Sequence, residues 1–263
     1  MRIVVKVGTS TLAHETGRLN IRCVETLCKV LSDLKNSGHE IVLVSSGAIG
    51  MGVGKLNLPG RPDDMPTKQA AAAVGQCELM YTYDRLFSQY NHTVAQILLT
   101  GDDVHDETRT QNFKNTLFRL LSLGVLPIVN ENDTLSTAEI SIGDNDTLAA
   151  IVSVRIEADL LILLSDIDGL YTADPHRDPN AKLIPRVDEI TPEITALAAG
   201  RGSRLGTGGM ITKIHAAETC MAAGCDMVIT NGSDAEILYD IMDGKPCGTR
   251  FVAGKGHKDA DNR

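Results

Sequence analysis

The sequence predicts an α/β protein, a three-layer sandwich in which a mostly parallel central sheet carries helices on both faces. Two observations predict it. Short apolar runs such as Ile3 to Val7, broken only by Lys6, and Asp159 to Leu164, apolar from Leu160 on, recur along the chain. They lack the alternation of a half-exposed strand, so they read as strands buried on both faces. Between them lie longer segments whose apolar residues fall at helical spacing. A third observation locates a site, because polar and glycine-rich clusters directly follow the apolar runs. In an open parallel sheet ligands bind at the carboxyl ends of the strands.

Composition narrows the class. The chain has 263 residues, 43% of them hydrophobic and 22% charged, which suits one soluble domain spanning 1–263. The longest apolar runs are too short to span a bilayer, so no membrane partner is expected. The start, Met1 to Gly8, has an early Lys6 and no cleavage pattern, which reads as no signal peptide and a cytoplasmic protein. A net charge of -9 argues against a nucleic-acid partner, which needs clustered positive charge. The six cysteines form no C-x-x-C pair and the seven histidines show no ligand spacing. The cysteines then read as small core residues, and no protein-held metal is expected.

In chain order, Ile3 to Val7 is a central strand ending in a phosphate-sized turn, Gly8-Thr9-Ser10. Lys6 is either an outward-facing strand residue or, because a cation in such a strand is costly to bury alone, a ligand for an anion. Asn20 caps a helix with Val24, Leu27, Cys28, Leu31 and Leu34 on one face, stopped by Gly38. Glu40 to Ser45 is the second strand, and Ser46 to Gly54 is expected as a glycine-rich turn that admits a carboxylate or phosphate. It does not match the Walker A spacing, and no G-x-G-x-x-G follows the first strand. Thr67 is expected to cap a long helix to Tyr90. Val94 to Leu99 is a strand and Thr110 to Leu123 a helix.

Gly124 to Ile128 is the next strand. It leads into Val129 to Thr147, where Asn130, Glu131, Asn132 and Asp133 form one polar cluster and Asp144, Asn145 and Asp146 a second, just before a helix from Leu148 to Val154. Turn and cap roles fit such residues. Two clusters bracketing the alternating stretch Ala138 to Ile142 also fit a loop that clamps an ammonium-bearing ligand. Asp159 to Leu164 is a strand with Ser165 to Tyr171 as its loop, and Thr172 to Lys182 is a surface excursion. Thr191 opens a short helix that Gly200 ends. Gly202 to Lys213 places glycines before a helix running to Gly224, so that Thr207, Thr212 and Lys213 could meet a polyphosphate, although a plain loop fits the same residues. Met227 to Thr230 is the last strand, Ser233 caps a helix to Met242, and the tail from Gly254 is polar.

Seven motifs in this order, V-V-K-V-G-T-S-T-L (Val4 to Leu12), V-S-S-G-A-I-G-M-G (Val44 to Gly52), Q-A-A-A-A-V-G-Q (Gln69 to Gln76), I-V-N-E-N-D (Ile128 to Asp133), G-D-N-D (Gly143 to Asp146), D-G-L-Y-T-A-D-P (Asp168 to Pro175) and G-T-G-G-M-I-T-K (Gly206 to Lys213), resemble the amino acid kinase superfamily, and within it the glutamate-phosphorylating branch. Acetylglutamate kinases carry K-x-G-G where this chain has Lys6-Val7-Gly8-Thr9. The resemblance implies ATP-dependent phosphorylation of the γ-carboxylate of L-glutamate, the first step towards proline. It implies Lys6 and Lys213 as catalytic cations oriented by Asp146, and Ser46, Asp133 and Asn145 as glutamate ligands in the N-terminal part. The C-terminal part would hold ATP through Ser165, Asp166, Thr207, Gly208, Gly209, Met210, Ile211, Thr212 and Lys213, together with Lys6. Mg²⁺ would be carried on the nucleotide phosphates with no protein ligand. The resemblance further implies feedback inhibition by L-proline and a homo-oligomer, a dimer or tetramer. From its length the chain is expected to lack the RNA-modification-type (PUA) domain that many relatives append. Two alternatives stay open, a sister kinase acting on another small acid and a non-catalytic nucleotide or amino-acid binding module. Asp133 speaks for a free substrate ammonium, and retention of both lysines with Asp146 speaks for catalysis.

Overall fold

The computed structural model describes residues 1–14, 18–135, 142–175, 177–198 and 209–254. Within them, the apolar runs become the strands β1 (Arg2–Val7), β2 (Glu40–Ser45), β3 (Val94–Leu99), β4 (Leu126–Glu131), β5 (Leu160–Ser165) and β7 (Asp226–Asn231). Two short strands, β6 (Arg186–Val187) and β8 (Thr249–Phe251), complete an eight-stranded sheet ordered β3-β4-β2-β1-β5-β7-β8-β6. Every pairing is parallel except β7 with β8. β6 and β8 are too short to carry a pattern, so the sequence did not signal them.

Alternate side chains of each strand feed two cores. Ile3, Val5 and Val7 join helices α1 (Thr9–Leu12), α2 (Ile21–Asn36), α3 (Ala48–Lys55), α4 (Met65–Ser88) and α10 (Ile237–Met242). Val4 faces the other way, towards α6 (Glu107–Ser122), α7 (Asn145–Arg155), α8 (Pro192–Ala198) and α9 (Met210–Ala222). The short α5 (Gly101–His105) precedes α6. The result is the expected three-layer sandwich. Among the described residues no helix is long and apolar enough to cross a membrane.

Several element boundaries differ from expectation, each for a local reason. The glycine-rich stretch after β2 is not an open turn: it forms helix α3, entered through Gly47 at φ 104°. Gly52 of α3 and Gly75 of α4 serve close packing. A Cβ on Gly52 would lie 1.8 Å from the Ala71 carbonyl oxygen, and one on Gly75 would lie 1.7 Å from that of Ala48, so α3 and α4 touch backbone to backbone. Asp64, not Thr67, caps α4 by accepting the Thr67 amide at 2.9 Å. Asp106 likewise caps α6 by accepting the Arg109 amide, ahead of the expected start at Thr110. In both cases a carboxylate ahead of the expected start accepts the amide three residues after it. Gly8-Thr9-Ser10 opens α1 rather than a bare turn. Ser233 does not cap a helix: its amide donates to Asn231, and α10 begins at Ile237 without a side-chain cap. Cys77 is exposed on α4 and Cys247 partly so, unlike the four buried cysteines. The helix end at Gly200, the stretch 138–141 and the tail beyond Gly254 lie outside the described residues.

Candidate active site

The centre of the site follows from strand alternation. Lys6 is two residues past Val4, so its side chain leaves β1 on the face covered by α7 and α9. There Lys6 Nζ lies 2.7 Å from Asp146 Oδ1, while Lys213 Nζ from α9 donates to Asp146 Oδ2 at 2.8 Å. The side chains of Lys6, Lys213 and Asp146 are only 11%, 7% and 2% exposed. The Lys6 contact is a charge pair without hydrogen-bond alignment. Burial pushes the Asp146 carboxyl up, but the charges of Lys6 and Lys213 outweigh it and hold the group below its ordinary value. Two ammonium groups against one carboxylate leave a net positive charge at the carboxyl end of β1, a fixed partner for an anion.

The start of α7 supports this arrangement. Asp144, just before the helix, accepts the amides of Asp146 and Thr147 at 2.7 and 2.9 Å. Asn145 and Asp146 therefore lie in the first turn rather than ahead of it. Thr212 donates to the Gly209 carbonyl at 2.8 Å and approaches Asp146 Oδ2 at 3.4 Å. Gly209 gives α9 no side-chain cap, so among the described residues the first amides of that helix are open to an anion.

Asn145 extends the site to the other side. Its Nδ2 donates to Ser46 Oγ at 2.7 Å and to Asn130 Oδ1 at 3.0 Å. Asn130 Nδ2 in turn donates to Gln76 Oε1 of α4 at 3.0 Å. Asn130 and Glu131 are residues of β4, not of a loop, and are buried together with Gln76. Gln76 was not among the expected site residues. Its only signal is a lone amide in an alanine-rich helix, Gln69 to Gln76. Behind Ser46, Ser45 Oγ meets the buried Tyr83 hydroxyl at 2.8 Å.

Asp133 follows β4 and is half-buried. Burial and the negative charge of Glu131 raise its carboxyl from 3.8 to about 6, with Arg61 pulling the other way. Glu131 Oε1 accepts the Ile142 amide at 2.9 Å, tying the strand end to the return of the loop. A half-buried carboxylate that resists ionisation invites a cation.

The structure thus brings together Lys6, Asp146, Lys213 and Thr212, and joins Ser46 to Asn145. Ser165 ends β5 and its hydroxyl donates to Asp166 at 3.1 Å, and among the described residues this pair makes no hydrogen bond or ion pair with the lysines. Met210 and Ile211 open α9. Thr207 and Gly208 lie outside the described residues. Among the described residues no group of three or more His, Cys, Asp or Glu side chains could hold a metal ion.

The model of the Amino acid kinase family matches residues 1–231. A curated relative, "Glutamate 5-kinase" of Clostridium perfringens (strain 13 / Type A), is 53% identical over 259 residues, covering 97% of this chain and 96% of the relative. "Glutamate 5-kinase" of Listeria welshimeri is 53% identical over 258 residues, covering 97% and 94%. Two solved structures share the fold at low identity. Carbamate kinase from Giardia lamblia bound to AMP-PNP has a TM-score of 0.67 at 19% identity, covering 96% of this chain and 98% of that one. An isopentenyl phosphate kinase product complex of T. acidophilum has 0.65 at 17%, covering 95% and 100%.

Proposed function

Because the chain belongs to the amino acid kinase family, we infer that it is an ATP-dependent glutamate 5-kinase, forming γ-glutamyl phosphate and ADP from L-glutamate and ATP in the cytoplasm, as the first step towards proline. The observation that carries this reading is Asp146 held between Lys6 and Lys213, with Asn145 beside it bonded to Ser46. The first turn of α7 thus carries two neighbouring residues, Asp146 facing the cationic end and Asn145 facing the amide and hydroxyl end. Relatives of this length that are about half identical and named glutamate 5-kinase support the choice of acceptor.

In the reaction an oxygen of the glutamate γ-carboxylate attacks the γ-phosphorus of ATP. The bond from that phosphorus to the β,γ-bridging oxygen breaks, and ADP leaves with the electron pair. Such transfers ask the protein for positioning and for charge around the moving group. Lys6 and Lys213 would flank the transferring phosphoryl, with Asp146 fixing both. Ser46, Asn145 and Asp133 would hold the amino acid, with Asp133 meeting the ammonium. Ser165, Asp166, the 207–211 stretch and Thr212 would hold the nucleotide, the open amides of α9 facing its phosphates. Mg²⁺ would ride on the phosphates and neutralise part of their charge. Asp146 fits that view, since both its oxygens already face lysines. Proline shares the α-carboxylate and the cationic amine of glutamate, so inhibition at the same site belongs to this proposal, as does a homo-oligomeric state.

The test is ADP release under Mg-ATP with L-glutamate, N-acetylglutamate and L-aspartate. Turnover selective for L-glutamate supports the proposal. Preference for another acid makes the chain a sister kinase, and turnover with none of them makes it a binding module.

A further inference from the structure

We propose that Gln76 of α4 is a positioning residue that sets the hydrogen-bond polarity of the amino-acid subsite, so that Ser46 donates to a ligand and Asn145 accepts from it; this rests on the glutamate-kinase reading above. Gln76 is 7% exposed and lies two hydrogen bonds from Asn145 and three from Ser46 in the structure. Its influence passes through amides, whose two ends are nearly the same shape but opposite in hydrogen-bonding sense.

Gln76 offers Oε1, so Asn130 must turn Nδ2 towards it. Asn130 Oδ1 then faces Asn145 and selects its Nδ2. The same nitrogen donates to Ser46 Oγ. A hydroxyl oxygen that accepts from an amide directs its own hydrogen elsewhere, and Asn145 Oδ1 takes no hydrogen bond among the described residues. The subsite thus presents a donor at Ser46, suited to a carboxylate, and an acceptor at Asn145, suited to an ammonium. Reversing the amides would have Asn145 accept from both Asn130 and Ser46. The hydroxyl hydrogen would be consumed and a carboxylate would lose its donor. Burial of Gln76 and Asn130 keeps water from repairing such a reversal.

The experiment compares Gln76→Leu and Gln76→Glu with wild type by steady-state kinetics for L-glutamate and ATP, with thermal unfolding as control. Gln76→Leu removes the acceptor and frees Asn130 to turn. The expected result is a rise of about tenfold in the glutamate KM, the size of one misdirected hydrogen bond, with the ATP KM unchanged within about twofold and kcat nearly preserved. Gln76→Glu keeps an oxygen facing Asn130 and is expected to recover most of the glutamate KM. A merely structural role would lower both substrates' kinetics and the melting temperature together. The proposal is overturned if Gln76→Leu leaves the glutamate KM unchanged, or if both variants lose it equally. If Gln76→Leu does not fold, Gln76→Glu decides alone: a KM within about threefold of wild type supports the acceptor role and a tenfold rise rejects it. A wild type inactive on glutamate would instead reject the functional reading itself.

Discussion

Asp144 accepts the backbone amide of Asp146 at 2.7 Å, so two carboxylates at the start of one helix divide the work between them. Asp144 caps α7, and Asp146 keeps both oxygens for the lysines. The division makes the two separable by mutation. Asp146→Asn keeps the shape and removes the charge that fixes Lys6 and Lys213, so kcat should fall steeply while the protein still melts cooperatively. Asp144→Ala should cost about 1 kcal/mol of stability through the lost cap. Unchanged kcat in Asp146→Asn, read beside its melting curve, would refute the orienting role.

Lys6→Met and Lys213→Met are each expected to depress kcat by about 10²-fold or more, because preorganised charge near a moving phosphoryl contributes a few kcal/mol to the transition state. Each lysine lies within 2.8 Å of the same carboxylate, so the double variant should lose less than the product of the single losses. A rise confined to the ATP KM would reduce the lysines to ordinary binding groups.

Asp133 is expected to give the activity a pH dependence. Its carboxyl is raised from 3.8 to about 6 by burial and by Glu131, and only the ionised form suits a substrate ammonium. The kcat/KM for glutamate should therefore be level above about pH 7 and fall below pH 6, since this ratio reports groups of the free enzyme. Asp133→Asn should be weaker and lack that inflection. The stability effect has the opposite sign. The empty fold binds this proton more tightly than the unfolded chain, so stability from Asp133 falls as pH rises from about 4 through 6 and is level above. Denaturant titrations at pH 4.5 and 7 on wild type and Asp133→Asn measure the difference.

Asp133→Ala also bears on inhibition. If glutamate and proline share the ammonium site, both should weaken together, by roughly 1.5 to 3 kcal/mol each for a charge-assisted bond. The glutamate KM and the proline inhibition constant report it. Proline inhibition that survives a steep rise in KM would place the inhibitor elsewhere.

The contact between α3 and α4 predicts a packing defect. Gly75→Ala would drive a methyl against the Ala48 carbonyl, and neither backbone can yield cheaply. A loss of about 3 kcal/mol or more is expected, visible as a lowered Tm, whereas Gly60→Ala, with open space around it, should change little.

Much of the architecture was legible in the sequence, because a strand buried on both faces has no way to hide its apolar run. Lys6 stood out for the same reason, as a cation in such a strand. Its pairing with Asp146 did not follow from spacing, since it depends on α7 and α9 lying over one face of β1. Helix starts were misread where a carboxylate ahead of the expected start takes the capping role, Asp64 before Thr67 and Asp106 before Thr110. The glycines of α3 looked like an anion turn because a close helix contact and a flexible loop ask for the same absence of a side chain. Gln76 was silent because nothing local distinguishes an amide facing a buried partner from one facing water.

The three charged groups of this cluster, Lys6, Asp146 and Lys213, come from the first strand, the middle of the chain and a late helix. Loops that long close late and gain nothing until their ends meet. A chain still being made on the ribosome therefore cannot assemble this cluster until its last third has emerged and docked. Competence for turnover would arise in one step near the end of synthesis, and partial products would leave the nucleotide pool untouched.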